Sequence, residues 1–215
     1  MVVGSLVVGG VGLWFGLAEH GREAAPYVVP GTLQAEVLSP DRVSSLLGTT
    51  LSAGDSVAEP ASAPTVDPAA CAVAAGPGSQ AVYARGWTQF ESITYQDSIA
   101  DASHLVTQII GNYGANGQAA TVFKALADGV KGCTTAATAT GASGVVKWTY
   151  DLETSTAATV TWKSLQVDGG GWACYHEAGL KGKAVLQVTV CEPGDGTAAT
   201  VAIADQFSAK VGGQR

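Results

Sequence analysis

The sequence is short of charge. Asp, Glu, Lys and Arg make up 13 % of its 215 residues, and only 11 of them are basic. No Lys/Arg cluster occurs anywhere, and the net charge is −7. A nucleic-acid surface is excluded on both counts, because phosphate binding needs concentrated positive charge. There is no Cys-x-x-Cys knuckle, which argues against a zinc site built from the four cysteines. Neither G-x-S-x-G nor S-x-x-K is present, so no serine nucleophile announces itself. The first 18 residues carry no charge, no basic flank and no cysteine for a lipoprotein anchor. A good small-residue cleavage site before His20 is missing too, so a cleaved signal peptide is poorly supported.

What remains is rich in Ala, Gly, Val and Thr. Such a surface is solvated by hydroxyls, amides and backbone, a composition common in secreted proteins. The length suits one domain with accessories, large enough to bury a real core. Met1–Ala18 is apolar apart from Ser5 and its glycines, near the lower length limit for a bilayer-spanning helix. We expect a single-pass membrane anchor over 1–18, a tether over 19–32 containing Pro26 and Pro30, and an extracytoplasmic domain over 33–215. A missing basic flank leaves the positive-inside rule nothing to act on. Basic residues or a cytoplasmic part upstream of Met1 would explain it.

Gly169–Cys191 is the most informative stretch. Two runs with strand character flank Lys181-Gly182-Lys183. With Gly182-Lys183 as the centre of a type II′ hairpin, Gly supplies the required positive φ. Cross-strand partners then have numbers summing to 365, and Cys174 meets Cys191. Counting pairs from the turn makes this a non-hydrogen-bonded pair, with Cα atoms about 4.5 Å apart. A disulfide fits that distance. If Cys174 pairs with Cys191, Cys71 is left for Cys133; a four-thiolate zinc site is the rival. One face of the hairpin carries Ala173, Tyr175, Ala184, Leu186, Val188 and Val190 and reads as core. The other carries Trp172, His176, Gln187 and Thr189 around the disulfide.

The rest of the chain alternates helix and strand signals. Ser39–Gly48 is a helix with Ser39 as N-cap, Pro40 in the first turn and Gly48 at its end. Val43, Leu46 and Leu47 form its stripe. Ser52–Ala70, rich in Ala, Ser, Pro and Asp, reads as a long loop. Ala81–Tyr83, Trp87–Tyr95, His104–Ile110, Val145–Tyr150 and Thr159–Val167 read as strands. Asn116–Lys131 is an amphipathic helix with Ala119, Val122, Phe123, Leu126 and Val130 on one stripe. Thr197–Val211 closes the chain as a helix carrying Ala199, Ile203, Phe207 and Val211. Strands joined by short turns predict an α+β fold: a twisted antiparallel meander with helices on one face.

In order and spacing, several motifs match a known family. They are Leu38-Ser-Pro-Asp-Arg-Val43, Asp67-Pro-Ala-Ala-Cys71, Val82-Tyr-Ala-Arg-Gly-Trp87 and His104-Leu-Val-Thr-Gln108. Trp172-Ala-Cys174 after a glycine run, Val190-Cys191 and the last helix complete the set. From about Leu33 to Val211 the chain resembles the extracellular sensor domain of PknH-type serine/threonine protein kinases, a family with membrane-anchored and lipoprotein relatives. The resemblance implies an α+β fold with disulfides Cys71–Cys133 and Cys174–Cys191. It also implies a large cleft for an extracellular ligand: a small molecule, a lipid or a cell-wall component. One departure is large. The chain has no Gly-rich loop with a catalytic Lys, no H-R-D and no D-F-G, so it carries no kinase domain of its own. Lys131-Gly132 also stands where relatives often carry a nearby Trp.

Candidate chemistry is thin. His104 and His176 would meet only if their strands are neighbours and share a face, and a metal or acid–base site would still need a third group. Asp151, Glu153, Asp168, Glu192 and Asp195 sit near turns and read as solvated charges. Gly169-Gly-Gly171 precedes a strand and opens no helix, so it is no phosphate loop. The expected ligand-contacting residues are Trp172, His176, Gln187, Thr189 and His104, with no cofactor, no metal and no catalysis. A cell-envelope hydrolase or transferase, and a cell-wall protein-interaction module, are the alternatives.

Overall fold

A computed structural model describes residues 32–134, 137–141 and 144–212. The expected membrane segment, and all of the tether except Thr32, lie outside these. In chain order the strands are β1 (Ser52–Val57), β2 (Val66–Asp67), β3 (Trp87–Gln96), β4 (Leu105–Tyr113), β5 (Ala137–Gly141), β6 (Gly144–Ser155), β7 (Thr159–Gln166), β8 (Trp172–Lys181) and β9 (Ala184–Pro193). The helices are α1 (Leu33–Glu36), α2 (Pro40–Leu47), α3 (Ala72–Ala75), α4 (Asn116–Gly132) and α5 (Thr197–Gly212).

The strands form one antiparallel sheet in the order β1-β3-β4-β9-β8-β7-β6-β5-β2. This is not the single meander expected from the short turns. Hairpin β3–β4 comes first, α4 crosses over, and the β5–β9 meander returns until β9 zips onto β4. Composition explains the closure. β4 and β9 carry apolar or amide side chains on both faces, and most of both strands is buried. A strand buried on both sides belongs in the middle of a sheet with both faces covered.

Alternation along β9 divides the core. Ala184, Leu186, Val188 and Val190 pack with Ile203, Phe207 and Val211 of α5, with Val43 of α2, and with Val106 and Ile110 of β4. Val185 packs on the opposite side with Phe123, Leu126 and Val130 of α4, and with Ile109. Helices therefore cover both faces, which corrects the one-sided arrangement expected. A single covered face would have left one apolar set of β4 and β9 in water.

The local signals resolve as the sequence indicates. Ser39 Oγ accepts from the Arg42 amide, Pro40 occupies the first turn, and Gly48 takes a left-handed φ of 79° at the end of α2. The β8–β9 register pairs Lys181 with Ala184 and Cys174 with Cys191. Gly182 has φ 58°, as its turn requires. The Cys174–Cys191 disulfide spans Cα atoms 4.0 Å apart, and Cys71–Cys133 spans 5.0 Å. Two expectations differ. Ser52–Ala70 contains β1 and β2, and Ala81–Tyr83 is a turn. β1 has a bulge between Ala53 and Ser56 and packs Gly54 against the Thr94 carbonyl, so its alternation is broken.

Candidate ligand-binding groove

The α4 face of the sheet is covered only in part. α4 lies over its middle, and residues 76–83 lie beside it. There a Cβ on Gly78 would touch Ile109, and the Pro77 carbonyl accepts from Gln187 Nε2 at 2.8 Å. Beyond these walls the floor is open. Thr94 and Thr107 share a hydroxyl–hydroxyl bond of 2.9 Å, which places both on this face. Thr107 pairs with Thr189, Thr189 with His176, and His176 with Trp162. One lateral row of side chains therefore crosses β3, β4, β9, β8 and β7.

Ser92, Thr94, Gln96, Leu105, Thr107, Thr189, Cys191 and Trp172 are all half-buried and all uncharged. A cavity of about 550 Å³ opens at the β1–β3 end, with Thr94 and Gln96 in its lining and Ile99 and Val57 at its rim. Ile99 is 94 % exposed. A second cavity, of about 150 Å³, lies between α3 and β6–β8; Ala74, Ala75, Trp148, Cys174 and His176 line it. The disulfide Cys71–Cys133 fastens the segment leading into α3 to the end of α4, so it holds the wall of this cavity.

The expected contact residues separate into three groups. Trp172 and Thr189 are half-buried on the groove side. His176 and Gln187 are on the same face but buried, at 6 % and 1 % exposure. His104 is elsewhere. It precedes β4, its Nδ1 lies 2.9 Å from Asp97 Oδ2, and its Nε2 lies 4.0 Å from Glu192 Oε2. Glu192 follows the α5-facing positions of β9, so the two histidines do not share a face. Asp97 Oδ1 also accepts from the amides of Ser103 and His104. The bond to His104 leads in holding the Asp97 carboxyl below the usual carboxylate range.

His176 is the support of the floor. Its ring stacks on Trp162 at 4.6 Å with planes 5° apart. Nε2 meets Ser164 Oγ at 3.0 Å, and Nδ1 meets Thr189 Oγ1 at 2.9 Å. Burial lowers its pKa from 6.5 to about 3. The imidazole is therefore neutral, one nitrogen donating and one accepting, with the hydroxyls rotated to match. Gln187 plays a similar part: its Nε2 donates to the Tyr83 hydroxyl at 2.7 Å, and burial raises the Tyr83 pKa far above the usual phenol value.

A serine beside a histidine invites comparison with a hydrolase dyad. The third position is held by the Thr189 hydroxyl, which cannot stabilise an imidazolium as a buried carboxylate does. With a pKa near 3 the ring is a weak base. Thr94, Thr107 and Ser164 are not among the residues that the sequence reading brings forward; Trp162 stands out there only as one of four tryptophans suited to an aromatic binding surface, with Trp87, Trp148 and Trp172. Their link to the hairpin runs through the β4–β9 and β7–β8 ladders, whereas the register read from the sequence is that of β8 with β9 alone.

Among the described residues no group of three or more His, Cys, Asp and Glu side chains is placed to hold a metal. No curated protein matches the sequence. A family model described as the PknH-like extracellular domain matches residues 28–210. The crystal structure of the extracellular domain of PknH from Mycobacterium tuberculosis superposes with a TM-score of 0.76 at 24 % identity, covering 82 % of this chain and 93 % of that one. At that identity the likeness speaks for the fold, including its antiparallel sheet and helices. The family match spans most of the sequence, and the chain belongs to the PknH-like extracellular domain family.

Proposed function

We propose that this chain is an extracytoplasmic binding domain that holds an uncharged or weakly polar ligand in the groove on the α4 face and performs no chemistry on it. The observation that carries the reading is the floor itself. Eight half-buried side chains across four strands present four hydroxyls, one amide, one leucine, an indole and a disulfide, and none presents a charge. Such a surface offers directional hydrogen bonds and apolar contact area with little charge desolvation to overcome. The supports beneath it, His176, Trp162 and Ser164, are buried and mutually bonded, which preorganises the floor. Membrane attachment through residues 1–18 fits the same reading, as does a ligand drawn from the cell envelope. No helix among the described residues is long and apolar enough to cross a membrane.

The test is native mass spectrometry of the full, oxidised chain isolated from its own cell envelope, beside a Thr107→Trp variant that fills the centre of the groove. An adduct on the wild type that is lost from the variant, with an unchanged melting temperature, is the expected result. An adduct that persists in the variant would place the ligand elsewhere and overturn the proposal.

A further inference from the structure

The junction of β4 and α4 is a strand, a glycine-bearing turn and a helix start: Tyr113-Gly114-Ala115-Asn116-Gly117. Ala115 is the N-cap and supplies no capping side chain, while Gln118 Oε1 reaches back and accepts from the Ala115 amide at 3.1 Å. The Gln118 amide turns back to the Ala115 carbonyl at 3.1 Å. The amides of Asn116 and Gly117 belong to the first turn of a 17-residue helix, where no intrahelical acceptor exists. A Cβ built on Gly117 meets nothing within 4 Å, so no side chain packs against Gly117 itself.

A cavity of about 290 Å³ lies at this point, lined by Arg85, Tyr113, Gly117, Gln118 and Thr121 among others. Arg85 is exposed and has no ion pair or hydrogen bond among the described residues. Among the described residues no acidic side chain lines the cavity. Tyr113, in its wall, is only 3 % exposed, and its hydroxyl has no hydrogen-bond partner. A buried donor left unpaired costs free energy that a bound acceptor oxygen would return. Arg85 belongs to the Tyr-Ala-Arg-Gly-Trp motif, of which the groove uses Tyr83 and leaves Arg85 without a role.

We propose that this cavity binds a phosphate group, free or carried on an organic molecule. Arg85 supplies a guanidinium fork suited to phosphate oxygens. The first-turn amides and the aligned peptide dipoles of α4 supply the positive end of a helix. Tyr113 supplies a hydroxyl to one oxygen. The site is separate from the groove, so it stands or falls independently of it.

The experiment is a titration of the full, oxidised, ¹⁵N-labelled chain with inorganic phosphate at constant ionic strength, read at the amides of Gly114, Ala115, Asn116 and Gly117. Saturable shifts confined to these amides are expected, with affinity lowered at least tenfold by Arg85→Gln and severalfold by Tyr113→Phe. Lys131→Gln, an equal change of charge at the other end of α4, should leave it unaltered. Three arms identify the source. Tighter binding of glycerol 3-phosphate than of phosphate points to a soluble monoester. Arg85-dependent binding to phosphatidylglycerol vesicles, and not to phosphatidylcholine vesicles, points to a lipid headgroup. Inorganic phosphate binding tightest points to the free ion. Absence of saturable shifts, or equal weakening by Lys131→Gln and Arg85→Gln, overturns the proposal.

Discussion

His176 and Glu177 are neighbours on β8 whose side chains leave opposite faces of the sheet, and they impose opposite pH dependence on stability. Burial holds His176 at about 3 against an ordinary 6.5. Between those values the unfolded chain binds a proton that the folded chain refuses, so stability falls as pH drops from about 6.5 toward 3. Glu177 is raised from 4.5 to about 7, by burial first and by the charge of Asp205 second. The folded state keeps a proton that the unfolded state releases. Its contribution is full below 4.5 and is lost as pH rises through 7. Glu177 is half-exposed, so solvent screening leaves an effect on the order of 1 kcal/mol; the His176 effect is on the order of a few kcal/mol. Urea unfolding from pH 4 to 8 separates them. His176→Gln should flatten the acid limb, and Glu177→Gln should remove the decline toward neutrality. An unchanged acid limb in His176→Gln would mean that the ring is charged in the folded protein. The buried setting of His176 was not legible in the sequence. Alternation placed it opposite the obvious core face, and a strand near the centre of a two-sided sheet has no solvent face to give.

Elements were the most legible level. α2, α4 and α5, with their caps and stripes, follow from residues within one or two turns of each other. The β8–β9 hairpin follows from one glycine and two cysteines. β1 escaped because its bulge breaks the alternation that marks a strand, and Ser-Ala-Gly-Asp-Ser carries no apolar face. The pairing of β4 with β9 escaped because 70 or more residues separate the partners and no local signal spans them. The two disulfides divide along the same line. Cys174–Cys191 closes 17 residues of a hairpin that is already paired, and Cys71–Cys133 closes 62. Loop-closure entropy gives about 3 kcal/mol for the first and about 4 for the second. Double replacement by Ser should therefore cost more at Cys71/Cys133 in equilibrium unfolding. That variant should also lose groove binding while keeping the sheet, because α3 and residues 76–83 are no longer tied to α4. The Cys174/Cys191 variant should keep its groove wall. Equal costs, or a groove unaffected by loss of Cys71–Cys133, would contradict this division.

At the scale of the whole molecule the sheet is covered on both faces at its centre and least covered at its ends. β4 and β9 are flanked by strands on both edges and by helices on both faces, whereas β1 and β2 lie at the two edges. The groove spans this gradient. Its floor rests on β4 and β9, and its larger cavity opens at the β1–β3 edge. On the proposed reading, Thr107 and Thr189 on the doubly covered strands are the fixed partners, and β1 and the segment carrying Ile99 form the rim. Local opening free energies should rank accordingly, since amides in fully buried ladders exchange only through global unfolding. Hydrogen exchange on the oxidised chain should show β4 and β9 slowest, and β1 and β2 fastest. A groove ligand should slow β1, β3 and residues 97–104 and leave α5 unchanged, because α5 packs on the other side of the sheet. Protection that appears first in α5 would mean that binding is felt through the α5 core, and that the groove on the α4 face is not where the ligand sits.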